Sequence, residues 1–187
     1  MKFLESNELL ALLKAAKTRS NRDWAMILLA YRHGMRASEI CGLTLSDVDM
    51  KCHTVTFQRV KGSMKSMQPL ERLAGQPLLD ERTALRLWLA ERHDNSDYLF
   101  TSQKGGKLSE NGFWRLFKVV MADAGLKGRS CHSLKHTRAS LMIAGGANLA
   151  DVRQMLGHKS LSSTLRYVHS TDEQAAKAGR RAEANVF

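Results

Sequence analysis

The chain has 187 residues, with 29 Lys and Arg against 18 Asp and Glu, a formal charge of +11 and a pI near 9.9. That length buries one substantial core, and so basic a balance points to a polyanionic partner, nucleic acid before any other. Glu5 and Glu8 interrupt the N-terminal apolar run too early for a signal peptide or membrane span, and the three cysteines lack metal or disulfide spacing, so a protein of the reducing cytosol is expected.

The first element is an amphipathic helix between Ser6 and Lys17, predicted from Leu9, Leu10, Leu12 and Leu13. Trp24, Ile27, Leu28 and Tyr31 predict a second, which Gly34 stops, and the residues around Arg36 then open another helix. From Thr54 the texture changes. Val55, Phe57 and Val60 lead into Lys61-Gly62-Ser63, and a second short run ends at Pro69-Leu70, which reads as a hairpin. Helices are predicted again over 78–92, 109–124, 132–144, 148–156 and 160–169, punctuated by Gly105-Gly106, Gly125 and Gly145-Gly146. No repeat, low-complexity tract or proline-rich linker divides the chain. The expectation is therefore a mainly α fold with a small antiparallel hairpin or sheet (α+β), in a single domain over 1–187 with a tail helix at 171–184.

Several residues carry chemistry, and each has a plain structural reading beside it. Arg36 sits where a phosphate docks at a helix start, but Glu39, three residues on, would pair with it on a helix. Lys61 lies in the hairpin turn, where a solvated lysine is ordinary and Lys65 competes for any role. His132, Lys135 and His136 fall at i, i+3 and i+4 and share a helix face; with Ser, Leu and Lys between the histidines and no acidic third ligand nearby, a metal site is not expected. Tyr167, like Tyr31 and Tyr98, is by itself a packing aromatic.

Together the spacings say more. Gly34, Arg36, Ser38 and Glu39 are followed by Leu43 and Asp47; Lys61-Gly62 precedes Pro69-Leu70; His132-Ser133-Leu134-Lys135-His136 is followed by Leu156-Gly157-His158, and Tyr167 stands nine residues after His158. From about Ser6 to His169 this resembles the catalytic domain of the tyrosine recombinases, the phage integrase family, whose box reads His-x-Leu-Arg-His, so that Lys135 stands where an arginine is usual. In size and in the run from Arg36 to Cys41 it is similar to the short fimbrial phase-switch invertases, and the N-terminal DNA-clamping domain of longer members is expected to be absent.

The resemblance implies a site-specific recombinase or integrase. Tyr167 would attack a DNA phosphodiester to form a 3′-phosphotyrosine, with Arg36, Lys135 and His158 around the scissile phosphate, His132 assisting the tyrosine and Lys61 protonating the departing 5′ oxygen. His136 would brace the structure. No ATP, metal or other cofactor is implied; the partners are double-stranded DNA and, on DNA, three further copies in a homotetramer, with a monomer off DNA, in the cytoplasm at the nucleoid. Lysine supplies charge without the planar fork of arginine, and losing such a contact costs on the order of 2 to 4 kcal/mol in a transition state, so slowed activity is expected, with Arg138 as a partial substitute. Arg59, Lys61, Lys65, Arg129, Lys135, Arg138 and Lys159 are expected to line one DNA face. Two other readings stay open: a type IB topoisomerase-like enzyme that relaxes supercoils, and a weakly active or non-catalytic DNA-binding relative that has drifted at Lys135.

Overall fold

The computed structural model describes residues 3–59, 65–157, 162–165 and 167. Helix α1 (Ser6–Arg19) begins with Glu8 accepting from the Glu5 amide at 2.9 Å, and α2 (Asn21–Arg32) begins with the Ser20 hydroxyl accepting from the Asp23 amide at 3.0 Å. Every residue of α2 from Asp23 to Tyr31 is buried. A helix apolar almost all round is a central one, and α2 packs against α1, α4 and α6. The remaining helices are α3 (Ala37–Gly42), α4 (Glu81–Glu91), α5 (Glu110–Asp123), α6 (His132–Ala144), α7 (Leu149–Leu156) and α8 (Ser162–Leu165). The main core joins Trp24, Phe100, Phe113 and Phe117 to the leucines of α1 and α2, while Ala139, Val152, Leu156 and Tyr167 form a small separate cluster between α6 and α7.

The expected hairpin is one edge of a three-stranded antiparallel sheet in the order β1 (Val48–Asp49), β2 (Thr54–Gln58), β3 (Lys65–Pro69). β1 is too short to leave a periodic signal. It exists because Asp49 Oδ1 accepts the amides of Lys51 and Cys52 at 2.8 Å each and His53 takes a left-handed φ of 57°, which folds the chain tightly back into β2. The β2–β3 register, Thr54 opposite Pro69 through Gln58 opposite Lys65, puts Val55, Phe57 and Gln68 on the buried face. Continuing the alternation past Phe57 sends Arg59 inward as well.

The mainly helical α+β expectation holds, and the predicted helices appear within a few residues of their bounds except the last. Of the predicted 160–169 helix, α8 is described over Ser162–Leu165, and the Tyr167 amide donates to the Thr164 carbonyl at 3.1 Å, a turn three residues wide instead of helical pitch. Lys61, His158, Lys159 and the 171–184 tail lie outside the described residues. Among the described residues no helix is long and apolar enough to cross a membrane.

Two glycine turns interlock. Gly34 ends α2 at φ +57°, letting the Met35 amide reach back to the Ala30 carbonyl at 3.0 Å, and Gly157 ends α7 at φ +61°. A Cβ on Gly34 would stand 2.5 Å from Leu156 Cδ2, and Leu156 is fully buried. Gly34→Ala therefore combines left-handed strain with a clash and should cost about 1 to 3 kcal/mol in urea unfolding. Gly75→Ala, with open space around it and no left-handed φ, should cost less than about 0.5 kcal/mol.

Candidate active site

The site grows from the turn between α2 and α3. Arg36 caps α3 with extended backbone, its amide donating to Glu39 Oε2 at 2.8 Å and its Nη1 to Glu39 Oε1 at 3.0 Å. The Glu39 side chain is 1% exposed and that of Arg36 36%, so the carboxylate holds the guanidinium at the mouth of the site without enclosing it. The Arg36–Glu39 pairing read from the sequence as the plain alternative is thus present, and it leaves the guanidinium accessible.

Glu39 has a second cation. Arg59 is 2% exposed and lies with its guanidinium 4.5 Å from the Phe57 ring centre. Its Nη1 donates to Glu39 Oε2 and the Gly34 carbonyl, both at 3.2 Å; its Nη2 donates to the His33 carbonyl at 2.9 Å and to the Met155 carbonyl. Its stem runs against Gly157 so closely that a Cβ there would meet Arg59 Cδ at 2.7 Å. One guanidinium therefore ties together the α2–α3 turn, the end of β2 and the end of α7. Burial pushes this guanidinium below its ordinary pKa, with Glu39 opposing and Arg36 adding to the effect. The expectation that Arg59 lines the DNA face is corrected: strand alternation turns it inward.

Lys135, on α6, is 6% exposed and donates from Nζ to the Leu156 carbonyl at 2.6 Å. Burial, then the charges of Arg36 and Arg59, bring its pKa down from 10.5 to about 7, with Glu39 opposing. The end of α7 thus receives Arg59 at residue 155 and Lys135 at residue 156. These are two of the carbonyls that a helix terminus leaves without intrahelical partners, and they stand at the negative end of its dipole.

Beneath them is a buried polar relay. Gln68 Nε2 donates to the Met155 carbonyl at 3.3 Å and Ser66 Oγ at 3.2 Å, which leaves its Oε1 facing His33 Nδ1 at 2.7 Å. His33 Nε2 meets Glu81 Oε1 at 2.7 Å in an off-axis ion pair. Burial alone would raise the Glu81 pKa, but His33, the Glu71 amide and Arg32 outweigh it and hold the carboxyl below the usual range. This relay links β3 and α4 to the same α7 terminus. Nothing in the spacing of His33, Gln68 and Glu81 marks it in the sequence.

The rest of the face is carried by α6. His132 is its first residue and is exposed; His136, one turn on, places Nδ1 2.5 Å from the Tyr167 hydroxyl, with the two rings 5.7 Å apart. Tyr167 is 8% exposed, in the small cluster with Ala139, Val152 and Leu156. Lys135 and Tyr167 both pack at the α6–α7 pair, Lys135 through the Leu156 carbonyl and Tyr167 through His136 and the cluster that includes Leu156, and Glu39 and Arg59 connect Arg36 to the same α7 end, while Lys61 and His158 fall outside the described residues. Arg138 does not join them: its guanidinium lies 6.0 Å from the Tyr31 ring centre, in a cavity shared with Arg32, His33, Glu81 and Met155. Arg129 is taken up by Glu8 and the Phe3 carbonyl, whereas Lys65 stays exposed. Among the described residues no three His, Cys, Asp or Glu side chains converge as a metal site would.

Comparison with known proteins converges on one family. Residues 2–174 match the phage integrase family. The chain is 33% identical over 185 residues to the type 1 fimbriae regulatory protein FimB of Escherichia coli K12, covering 95% of this chain and 86% of that one. It is 37% identical over 166 residues to the tyrosine recombinase XerC of Corynebacterium efficiens, covering 86% of this chain but only 50% of the relative. In fold it is similar to the XerH site-specific recombinase bound to its difH substrate, with a TM-score of 0.77 at 23% identity over 96% of this chain and 54% of that one. With a match over nearly its whole described length and its arginine, lysine and tyrosine boxes meeting around α6 and α7, this chain belongs to the phage integrase family of tyrosine recombinases.

Proposed function

We propose that the protein is a site-specific DNA recombinase that cuts and rejoins strands through Tyr167. The observation that carries the reading is the position of Tyr167: its hydroxyl bonds to His136 on the same helix that presents His132 and Lys135, and Lys135 reaches back to the α7 terminus that Arg59 and Glu39 join to Arg36. A tyrosine of ordinary pKa near 10 attacks phosphorus only among fixed cations, and the clustering of Arg36 and Lys135 near the end of α7, beside the helix that holds Tyr167, supports that reading.

In the proposed reaction the Tyr167 oxygen bonds to phosphorus, the 5′ oxygen departs with a proton from Lys61, and a 3′-phosphotyrosine keeps the bond energy for a second 5′ hydroxyl to reverse the step. Arg36, Lys135 and His158 would stabilise the charge gathering on the equatorial oxygens, and His132 would assist the tyrosine. Tyr167 as described is buried against His136, so the attack requires its hydroxyl to leave that bond. The DNA partner is supported by the basic charge and by the DNA-bound XerH complex that the fold resembles. The homotetramer on DNA rests on the family resemblance and the single domain on the chain's length and lack of an internal linker; a monomer off DNA and a place at the nucleoid complete the proposal.

The second reading, a relative that binds DNA without cutting it, is favoured by one observation. Lys135 Nζ is spent on the Leu156 carbonyl where a phosphate-binding arginine is usual. A nicked suicide duplex carrying the natural site separates the two. A covalent band with the wild type that is lost in Tyr167→Phe establishes the recombinase; tight binding without a band, restored only by Lys135→Arg, establishes the second reading.

The lowered Lys135 pKa adds a pH test. Between about 7 and 10.5 the unfolded chain keeps a proton that the folded one has released, so this residue's contribution to stability rises with pH across that window. The charge that the folded Lys135 offers a phosphate is lost as pH rises through about 7. Thermal melts should show that rise in the wild type and lose it in Lys135→Met. The cleavage rate of Lys135→Arg relative to wild type should grow from about pH 6 to about pH 8, because arginine stays charged throughout; a constant ratio would contradict the assignment.

A further inference from the structure

Among the described cations of the site Arg59 makes the most hydrogen bonds, all four of them from its two Nη atoms, and it has no role in the reaction as proposed. Its side chain is 3% exposed, its guanidinium makes four bonds, and they reach three separate chain segments: His33 and Gly34 at the end of α2, Glu39 on α3, and Met155 at the end of α7. Two of these matter for chemistry. Glu39 is the carboxylate that also holds Arg36 by both its amide and its Nη1, so the direction of Arg36 depends on where Arg59 keeps Glu39. Met155 is two residues before Gly157, so the geometry of the α7 terminus up to that glycine depends on the same guanidinium.

The neighbouring contacts point the same way. Gly157, in its left-handed conformation, leaves room for the Arg59 stem where any Cβ would collide with it, so the turn and the side chain are fitted to each other. Lys135 holds the next carbonyl, that of Leu156. An arginine fork can bind a carboxylate and three carbonyls spread over one plane; an ammonium offers charge and three donors at a single point.

We infer that Arg59 is a positioning residue for catalysis: it sets Arg36 and the α7 terminus in register with each other, sharing the bonding of that terminus with Lys135. The inference rests on the recombinase reading. Because Arg59 is enclosed, it contacts no DNA phosphate, so its loss should slow chemistry without weakening binding. That split separates it from the surface cations, whose loss weakens binding and reduces its salt dependence.

The experiment is single-turnover cleavage of the nicked suicide duplex at saturating protein, beside duplex affinity measured over a range of salt, for wild type, Arg59→Lys and Arg59→Met. The expected result is a rate of covalent-band formation at least about ten-fold lower in both variants, with affinity and salt slope within about two-fold of wild type. Lysine should fail to rescue because it lacks the fork. Arg59→Lys keeps the charge and serves as the deciding variant if Arg59→Met does not fold. An Arg59→Lys rate within about two-fold of wild type, or a loss of affinity that accounts for the whole loss of rate, overturns the inference. If the wild type itself gives no covalent band, the recombinase reading falls, and the positioning role with it; a band from wild type with an unimpaired Arg59→Lys leaves that reading standing and removes the role.

Discussion

A carboxylate whose side chain is 1% exposed is stable only when its lost hydration is replaced, and Glu39 has that replacement from two guanidinium groups and a backbone amide. Arg36 approaches from the mouth of the site and Arg59 from beneath. The pair Glu39–Arg59 is the constraint on which the remaining geometry depends, because Arg59 carries it onward to the carbonyls at 33, 34 and 155. Buried ion pairs of this kind contribute little net stability when compared with well-packed apolar groups of the same volume, yet breaking one partner is severe. Their use is geometric: two guanidinium groups on one carboxylate add directional bonds to elements that apolar packing alone holds less specifically.

The site combines groups whose preferences oppose one another. Arg36, Arg59 and Lys135 gather around the single carboxylate of Glu39, and burial removes the water that would screen them. The strain falls on the weakest base, so Lys135 is the residue that gives up its proton near neutrality, where an arginine would not. On the recombinase reading proposed above, a phosphate brought into this cluster would supply the missing negative charge, and a preorganised cationic site in low dielectric is where charge developing on phosphorus is most strongly stabilised.

Much of this was legible in the chain. Helical periodicity gave α1, α2 and α4 to α7, and the texture change at Thr54 gave the sheet, although β1, two residues long and created by the Asp49 side chain, left no pattern to read. Arg36, Lys135 and Tyr167 could be named from the chain because the spacing of their motifs resembles the family's boxes, and the roles proposed for them rest on that resemblance. Arg59, His33, Gln68 and Glu81 could not, since what makes them matter is the juxtaposition of β2, β3, α4 and the α7 end, contacts between residues as far apart as 59 and 155. The charge of Arg59 by itself predicts a solvent-facing side chain, whereas the strand alternation Val55, Phe57, Arg59 turns it inward. His136 was assigned a bracing role, and its bond to the Tyr167 hydroxyl gives that bracing a specific object.

The most direct test of the central constraint is amide hydrogen exchange on the wild type and Arg59→Met, followed over residues 33–36 and 154–157. If the guanidinium couples the two turns, protection falls in both segments together while the amides of α1 and α5 keep theirs. Faster exchange confined to one segment, or unchanged protection at 154–157, would show that the turns are held independently and that Arg59 is packing alone.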